Sequence, residues 1–531
     1  MSLHLCLRVE FLAPLYHGRE DDDVPEWPPS PHRVLQALVA AAAARERCGL
    51  GSSADGALRW LEGRPAPTVV ATAGRWSDGY VLSVPNNAMD IVARAWARGN
   101  ESGVGDANPA VHRALKPARP TYLTEPCVVY YLWTVDGADA AERLHVETIA
   151  TLARSVTTVG WGIDQVVSYV SVIERQAASE LAGDRWQPVG GSGGRRLRAP
   201  VRGSLDDMRE RHERFVRRVG PNGFEPTPPL KAYAKLSYRR DVDPAPVEFA
   251  AFSLLKPDGA SFRVFSTASR ALTVAGMLRH ATRRAAEQAG WSAERVNAEV
   301  LGHPSPSAGS VTAGSRFAFI PVPSLEYRDG GAVTPVVGDV RRVLLTAVGS
   351  SAVSMIDWVR LAMPDMDLMD ESTGEVRATL ARLAATDAVL RRYVTPSAEW
   401  ATVTPVVLPG YDDPAHYRRR IARGVTAEEQ RRLLQRLHSR LDRILRKATV
   451  QSGFPVTLAR HAEIEWRASG FWPGNDRADR YGVPDHLRRY LRYHVRVSWR
   501  DESGNPVAVP GPIVIGAGRY HGLGLFASLV T

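Results

Sequence analysis

The chain has 531 residues, 44% of them hydrophobic and 23% charged, with 67 lysines and arginines against 57 acidic residues and a formal charge of +10. A length of this order exceeds what one core supports and predicts about two to four domains, and no run of ~18 apolar residues spells a membrane span. The surplus charge is mostly arginine, whose planar fork pairs with phosphate and stacks on bases, so nucleic acid is favoured over an acidic protein as partner.

The opening residues alternate as a strand over Leu3–Leu12 and lack a secretion signal. Cys6, Cys48 and Cys127 fit no zinc or redox spacing, so a reducing cytoplasm is the expected setting. An acidic loop, Glu20–Asp23, precedes Glu26-Trp-Pro-Pro-Ser-Pro-His-Arg33, which leads into a helix over Val34–Arg47. Ser30 reads as its N-cap and Pro31 as its first helical residue. A helix over Ala140–Thr158, the turn Val159-Gly-Trp-Gly162 and a strand over Val166–Val172 follow. Gly190–Gly194 is a flexible spacer leading to Arg195, Arg196 and Arg198. Ser204–Arg218 has a charged helical pattern, and Pro221–Pro229 reads as a linker. These features divide the chain into residues 1–220, a linker at 221–230, and residues 231–531.

The second half begins with strands over Lys231–Arg239 and Phe249–Leu255, then a helix over Ala271–Ala289 and a turn at Gly302-His303-Pro304. Strands over Phe317–Pro321 and Val343–Val348 and a helix over Glu375–Leu390 complete one unit. Trp400–Leu408 starts another, with a helix over Thr426–Ala448 and strands over His461–Trp466, Tyr493–Trp499 and Ile513–Ile515. Strand, helix and paired strands recurring in this way predict an α+β fold of tandem ferredoxin-like modules, the arrangement also found in RNA-recognition domains.

Two features point to RNA. Gly516-Ala-Gly-Arg-Tyr-His-Gly-Leu-Gly-Leu-Phe526 places Gly516, Gly518, Gly522 and Gly524 around Arg519, Tyr520 and His521. Glycines at this density allow backbone N–H groups to line an anion-binding concavity. The loop has neither the Gly-Lys-Ser/Thr of a nucleotide P-loop nor the position of a dinucleotide fingerprint. The helix over Thr426–Ala448 carries Arg431, Arg432, Arg436, Arg440, Arg443 and Lys447 opposite a leucine stripe, an imbalance suited to a phosphate backbone.

With these residues in hand, the sequence resembles the CRISPR-associated RAMP superfamily, RNA-binding proteins with ferredoxin-like modules and a C-terminal glycine-rich loop. The segments Tyr16-His-Gly18, Glu26–Arg33, Ala57-Leu-Arg-Trp-Leu-Glu62, Val84-Pro-Asn-Asn87, Gly302-His303, Trp400-Ala-Thr-Val-Thr-Pro405 and Gly511–Phe526 resemble the fused subunit of type I-G (formerly I-U) systems. In that subunit a Cas-family-five-like half joins a Cas-family-six-like half. The resemblance implies a subunit of a Cascade-like surveillance complex. Its partners would be CRISPR repeat RNA and mature guide RNA, a guide-coating backbone subunit, a large subunit and, indirectly, target DNA; no membrane is involved.

The resemblance also implies metal-independent, cofactor-free cleavage of repeat RNA, in which a ribose 2′-hydroxyl attacks the adjacent phosphate and leaves a 2′,3′-cyclic phosphate. Such chemistry needs a base, an acid and cations for the developing charge, and histidine suits the proton transfers. His303, fixed between Gly302 and Pro304, is the first candidate; His280, beside Arg279, and His521, within the glycine loop, are the others. Arg519 and Tyr520 are the expected phosphate-side contacts, and Arg33 is expected near the guide backbone. Some five-like relatives in other subtypes cut RNA with tyrosine, lysine and histidine, types that Tyr16, His17 and Lys116 offer at a different spacing. The alternative is a non-catalytic guide-binding scaffold in the same complex.

Overall fold

The computed structural model describes residues 3–20, 24–46, 53–85, 89–137, 139–190, 194–220, 223–225, 227–240, 242–303, 314–327, 335–384, 386–409, 415–424 and 426–529. The chain is α+β and divides into two compact units, Met1–Gly191 with Arg195–Asp241, and Ser192–Gly194 with Val242–Thr531.

The first unit is built on a seven-stranded antiparallel sheet. From edge to edge its strands are Arg195–Pro200, Tyr233–Arg240, Asp184–Val189, Thr68–Ala71, Val128–Val135, Leu3–Phe11 and Val166–Glu174. Period-two alternation sends Leu5, Leu7 and Val9 to one face, where they pack with Leu35 and Leu38 of helix Pro31–Glu46 and Ile149 and Leu152 of helix Ala140–Ala153. Each such side chain contributes about 1.5–3 kcal/mol when fully buried.

The second unit holds two sheets. One runs Arg316–Glu326, Val336–Val348, Phe249–Leu255, Val376–Arg382, Asp367–Met369. Helices Thr267–Gln288 and Ala352–Ala362 cover it through Val274, Leu278, Ala281, Met355, Ile356 and Val359. The other runs Val406–Val407, Arg492–Ser498, Glu399–Thr402, Phe526–Ser528, with Glu463–Arg467 also paired to Arg492–Ser498. The long helix Ala427–Gln451 covers it through Leu441, Ile444 and Leu445, packed with Trp400, Val497 and Trp499. A further core joins the two sheets: Ile320, Val322 and Leu344 from one meet Ala401, Leu525 and Ala527 from the other.

Several elements depart from the sequence pattern. The strand expected to open the second half instead completes the first sheet, because Tyr233–Arg240 pairs with Arg195–Pro200 on one side and Asp184–Val189 on the other. Glu375–Leu390 is not one helix: it is a strand, Val376–Arg382, followed by a short helix, Ala388–Val394. Ala378 and Leu380 are fully buried two residues apart, a strand period that outweighs the good helix formers around them. Helix Ala352–Ala362 has no counterpart in the sequence reading. Ile513 and Ile515 are buried as expected, yet the segment makes only an isolated bridge, Val514 to Leu525. The acidic residues 21–23, Asn86–Asn87, residues 191–193 of the spacer and Pro304 lie outside the described residues.

Candidate functional site

In the first unit the candidate residues are committed to internal work. Pro31 opens its helix as expected, but the Ser30 hydroxyl has no hydrogen-bond partner among the described residues. The buried Glu26 carboxylate takes over, accepting from the Ser30 amide at 2.6 Å and from Arg33 Nε at 3.0 Å. Arg33 also donates to the Arg19 carbonyl at 2.7 Å, so its guanidinium holds the turn together and is not a free contact for a guide. Tyr16 is fully buried, with its hydroxyl 3.1 Å from Glu26. His17 is buried as well, its Nδ1 2.6 Å from the Asp164 carboxylate and its Nε2 2.8 Å from the Tyr80 hydroxyl. Lys116 is exposed on the strand Arg113–Ala118.

The glycine loop corrects the expectation of open backbone amides. Gly516, Gly518, Gly522 and Gly524 are all buried. At Gly524, where φ is +76°, a Cβ would stand 1.9 Å from the Ile515 carbonyl oxygen; at Gly522, where φ is +74°, it would meet Pro321 at 2.3 Å. Left-handed backbone and this closeness both demand glycine. The amides inside the loop turn inward, with the Arg519 and His521 N–H groups donated to the Gly516 and Gly518 carbonyls. Thr404 pins the loop from the bend between strands Glu399–Thr402 and Val406–Val407, donating to the Gly522 carbonyl at 2.9 Å and accepting from the Leu525 amide at 3.0 Å. What remains accessible is the short turn Arg519–His521.

That turn meets residues the sequence reading did not single out. The His521 ring lies 6.3 Å from that of His486. Burial, then the charges of Arg279, Arg316 and His486, draw the His521 pKa down to about 4. The imidazole is therefore neutral at pH 7 and can take a proton. Tyr520 lies close to two guanidiniums, Arg316 at 4.0 Å and Arg519 at 4.5 Å from its ring centre, so it orients arginines instead of offering an open face to a base. Arg519 also donates to the Tyr520 hydroxyl and to the Gly516 carbonyl, each at 3.1 Å.

Arg316 links this turn to the first candidate histidine. Gly302 ends the preceding helical turn at φ 75°, and a Cβ there would come within 2.2 Å of the Arg316 guanidinium carbon. His303 follows, exposed, with its backbone N–H donated to the Asn297 carbonyl at 2.8 Å. His280 is occupied elsewhere on helix Thr267–Gln288. Its Nδ1 lies 3.5 Å from Glu371 and 3.3 Å from Arg283, while its neighbour Arg279 contributes to the charge at His521. Consecutive helical residues point about 100° apart, which separates the two.

The arginine helix keeps most of its expected pattern, although Leu434 of the leucine stripe is exposed. Thr426 caps it, accepting from the Glu429 amide, and Leu433, Leu441 and Leu445 are buried. Arg431, Arg432, Arg436, Arg443 and Lys447 are exposed and Arg440 half-buried. With Tyr417 from helix Ala415–Ala422, a groove of about 360 Å³ forms over Arg432, Gln435, Arg436, Ser439, Arg440 and Arg443. Arg446 is excluded from that surface, since it donates to the carbonyls of Ala459, Arg460 and Ala462. Among the described residues no group of three or more His, Cys, Asp or Glu is placed to hold a metal ion, and no helix is long and apolar enough to cross a membrane.

A chain with this α+β architecture and these arginine-rich surfaces matches, over residues 3–528, the family described as CRISPR-associated protein, GSU0054 family. The chain belongs to that family, and its role therefore lies in CRISPR defence. A solved CRISPR protein from Archaeoglobus fulgidus is similar at 14% identity, over 37% of this chain and 68% of that one, with a TM-score of 0.18. No curated protein matches.

Proposed function

We propose that the protein is a CRISPR RNA-processing endoribonuclease that stays in a type I-G, Cascade-like complex as a structural subunit. In this reading the first unit is the five-like half, which holds the guide handle. The second is the six-like half, its two sheets being ferredoxin-like modules. The observation that supports cleavage best is the accessible turn of the glycine loop, where a neutral histidine sits among arginines. His521 accepts the proton of a ribose 2′-hydroxyl; the 2′-oxygen bonds to phosphorus as the bond to the 5′-oxygen breaks. The leaving oxygen takes a proton from His303, next to the Arg316-packed turn, and the products are a 2′,3′-cyclic phosphate and a 5′-hydroxyl. Arg519 faces the charge that develops on the phosphate. The groove over Arg432, Arg436, Arg440 and Arg443 carries the rest of the repeat.

The groove would equally serve a scaffold without catalysis, and this is the second reading. Labelled CRISPR repeat RNA incubated in EDTA separates the two. The catalytic reading expects cutting by the wild-type chain to a cyclic-phosphate end. His521→Ala and His303→Ala should each lose that cutting at unchanged RNA affinity. A cognate repeat bound tightly but never cut establishes the scaffold.

A further inference from the structure

Arg316 is a half-buried charge in the second unit. It opens the strand Arg316–Glu326, and its Nε is buried without a hydrogen-bond partner. Among the described residues no carboxylate pairs with it. Burial pulls its pKa down, and the neighbouring Arg519 and Arg279 act in the same direction, opposed only by Tyr520. Arg279, Arg316, Arg519, His486 and His521 thus bring cationic or protonatable groups together from one helix, one strand, one short turn and the glycine loop. Each addition raises the self-repulsion of the group, and a partly dry guanidinium without a counter-charge is costly. An arrangement of this kind is stable to the extent that an anion completes it.

Packing confines the Arg316 guanidinium on two sides. Tyr520 lies against its guanidinium at 4.0 Å, and the turn at Gly302 closes over it so tightly that no side chain fits at that position. Lysine could supply the charge, but not a flat group to lie against a ring.

We propose that Arg316, with Arg279 and the turn Arg519–His521, forms an anion site for a single phosphodiester group, and that Arg316 is the group stabilising its charge during strand cleavage. Tyr520 and Gly302 are positioning residues that set the plane of the guanidinium. The assignment of RNA as the natural ligand rests on the function proposed above; the anion site itself does not.

Two measurements on the full chain keep those claims apart. In the first, inorganic phosphate is the probe and the melting temperature the readout. Wild type should gain stability that grows with the logarithm of phosphate concentration, because the ligand binds only the folded state. Arg316→Gln should show no gain, Arg316→Lys a reduced one, and Gly302→Ala, which displaces the guanidinium without changing charge, a loss like that of Arg316→Gln. In the second, repeat-RNA cleavage by Arg316→Gln should fall in kcat by ~10²–10³, the usual effect of losing one donor to a developing oxyanion, while KM changes less than about threefold. A phosphate response equal in wild type and Arg316→Gln, or absent from wild type, overturns the site. A phosphate response lost in the variant, together with a wild-type chain that cuts no repeat RNA, upholds the site and overturns the ribonuclease reading. A variant that loses the phosphate response but cuts repeat RNA at the wild-type rate overturns the role given to Arg316.

Discussion

The groove beside the arginine helix makes a prediction whose size follows from its lining. Arg432, Arg436, Arg440 and Arg443 recur at spacings of four, four and three residues, so they rise along one face of the helix. If each neutralises one phosphate, each adds about 0.7 to the dependence of log affinity on log salt for a single strand, or about 2.8 for the set. Raising salt from 50 to 200 mM should then weaken wild-type binding of a labelled repeat RNA roughly 50-fold through these contacts alone. The surface pair of Arg432 with Glu428 at 2.6 Å does not alter this, since an exposed pair contributes ~0–1 kcal/mol and opens readily. Replacing all four arginines by glutamine keeps good helix formers on an exposed face, so far-ultraviolet circular dichroism should be unchanged. Filter binding at several salt concentrations should show a slope smaller by about 3. A variant with the wild-type slope would show that RNA does not use this groove, whatever its affinity.

Three further outcomes follow from named groups. The folded pKa of about 4 at His521 lies below the free value, so the base is competent above that pH; on the acid side, single-turnover cutting should fall only as pH drops toward 4. A rate that climbs with rising pH through the free-histidine value of ~6.5 would remove His521 from that role. His494 is fully buried, bonded to the Asp476 carbonyl at 3.0 Å, and its pKa is lowered to about 4 by burial. Its stabilisation is complete above the unfolded value of ~6.5 and is lost as pH falls toward 4, so it accounts for about 2 kcal/mol of the loss between pH 8 and pH 5. Urea unfolding should show His494→Gln with a shallower acid dependence than wild type, and an identical dependence refutes the assignment. Asp164 accepts from the His17 amide at 3.1 Å, from Nδ1 at 2.6 Å and from the Trp161 amide at 2.9 Å. Asp164→Ala should therefore cost roughly 3–5 kcal/mol in urea unfolding, whereas a loss under 1 kcal/mol would mean the pair is only ornamental to the fold.

What the sequence disclosed and what it hid divide along a physical line. Local patterns survived: the arginine helix with its Thr426 cap, the strand at Phe249–Leu255 and Pro31 at a helix start all rest on neighbours within a few residues. Partnerships made through space did not. Arg33 reads as a guide contact until Glu26 is seen to bind it, and Tyr233–Arg240 reads as the start of a new half until its neighbours in the sheet are known. Arg316 and His486 carried no signal at all. Arginine is abundant in this chain, and the residues that make these two unusual, Tyr520 and His521, are remote from Arg316 in sequence and lie in a turn outside its sheet.

The glycine loop shows how a correct location can rest on the wrong reason. Four glycines in nine residues suggested amides bared for phosphate, but all four are buried, and what they permit is the approach of one backbone to another. Gly516 lies against Val407 and Gly524 against Ile515, which folds the loop onto its own sheet; Gly522 lies against Pro321, which presses it onto the other. A side chain at any of these positions would lift the turn Arg519–His521 away from the strand that begins at Arg316. The cluster is thus a product of the seam between the two sheets, where Ile320 and Val322 meet Leu525 and Ala527, and neither sheet contains it alone. Glycine acts here by letting one sheet carry a histidine and the other an arginine to the same place.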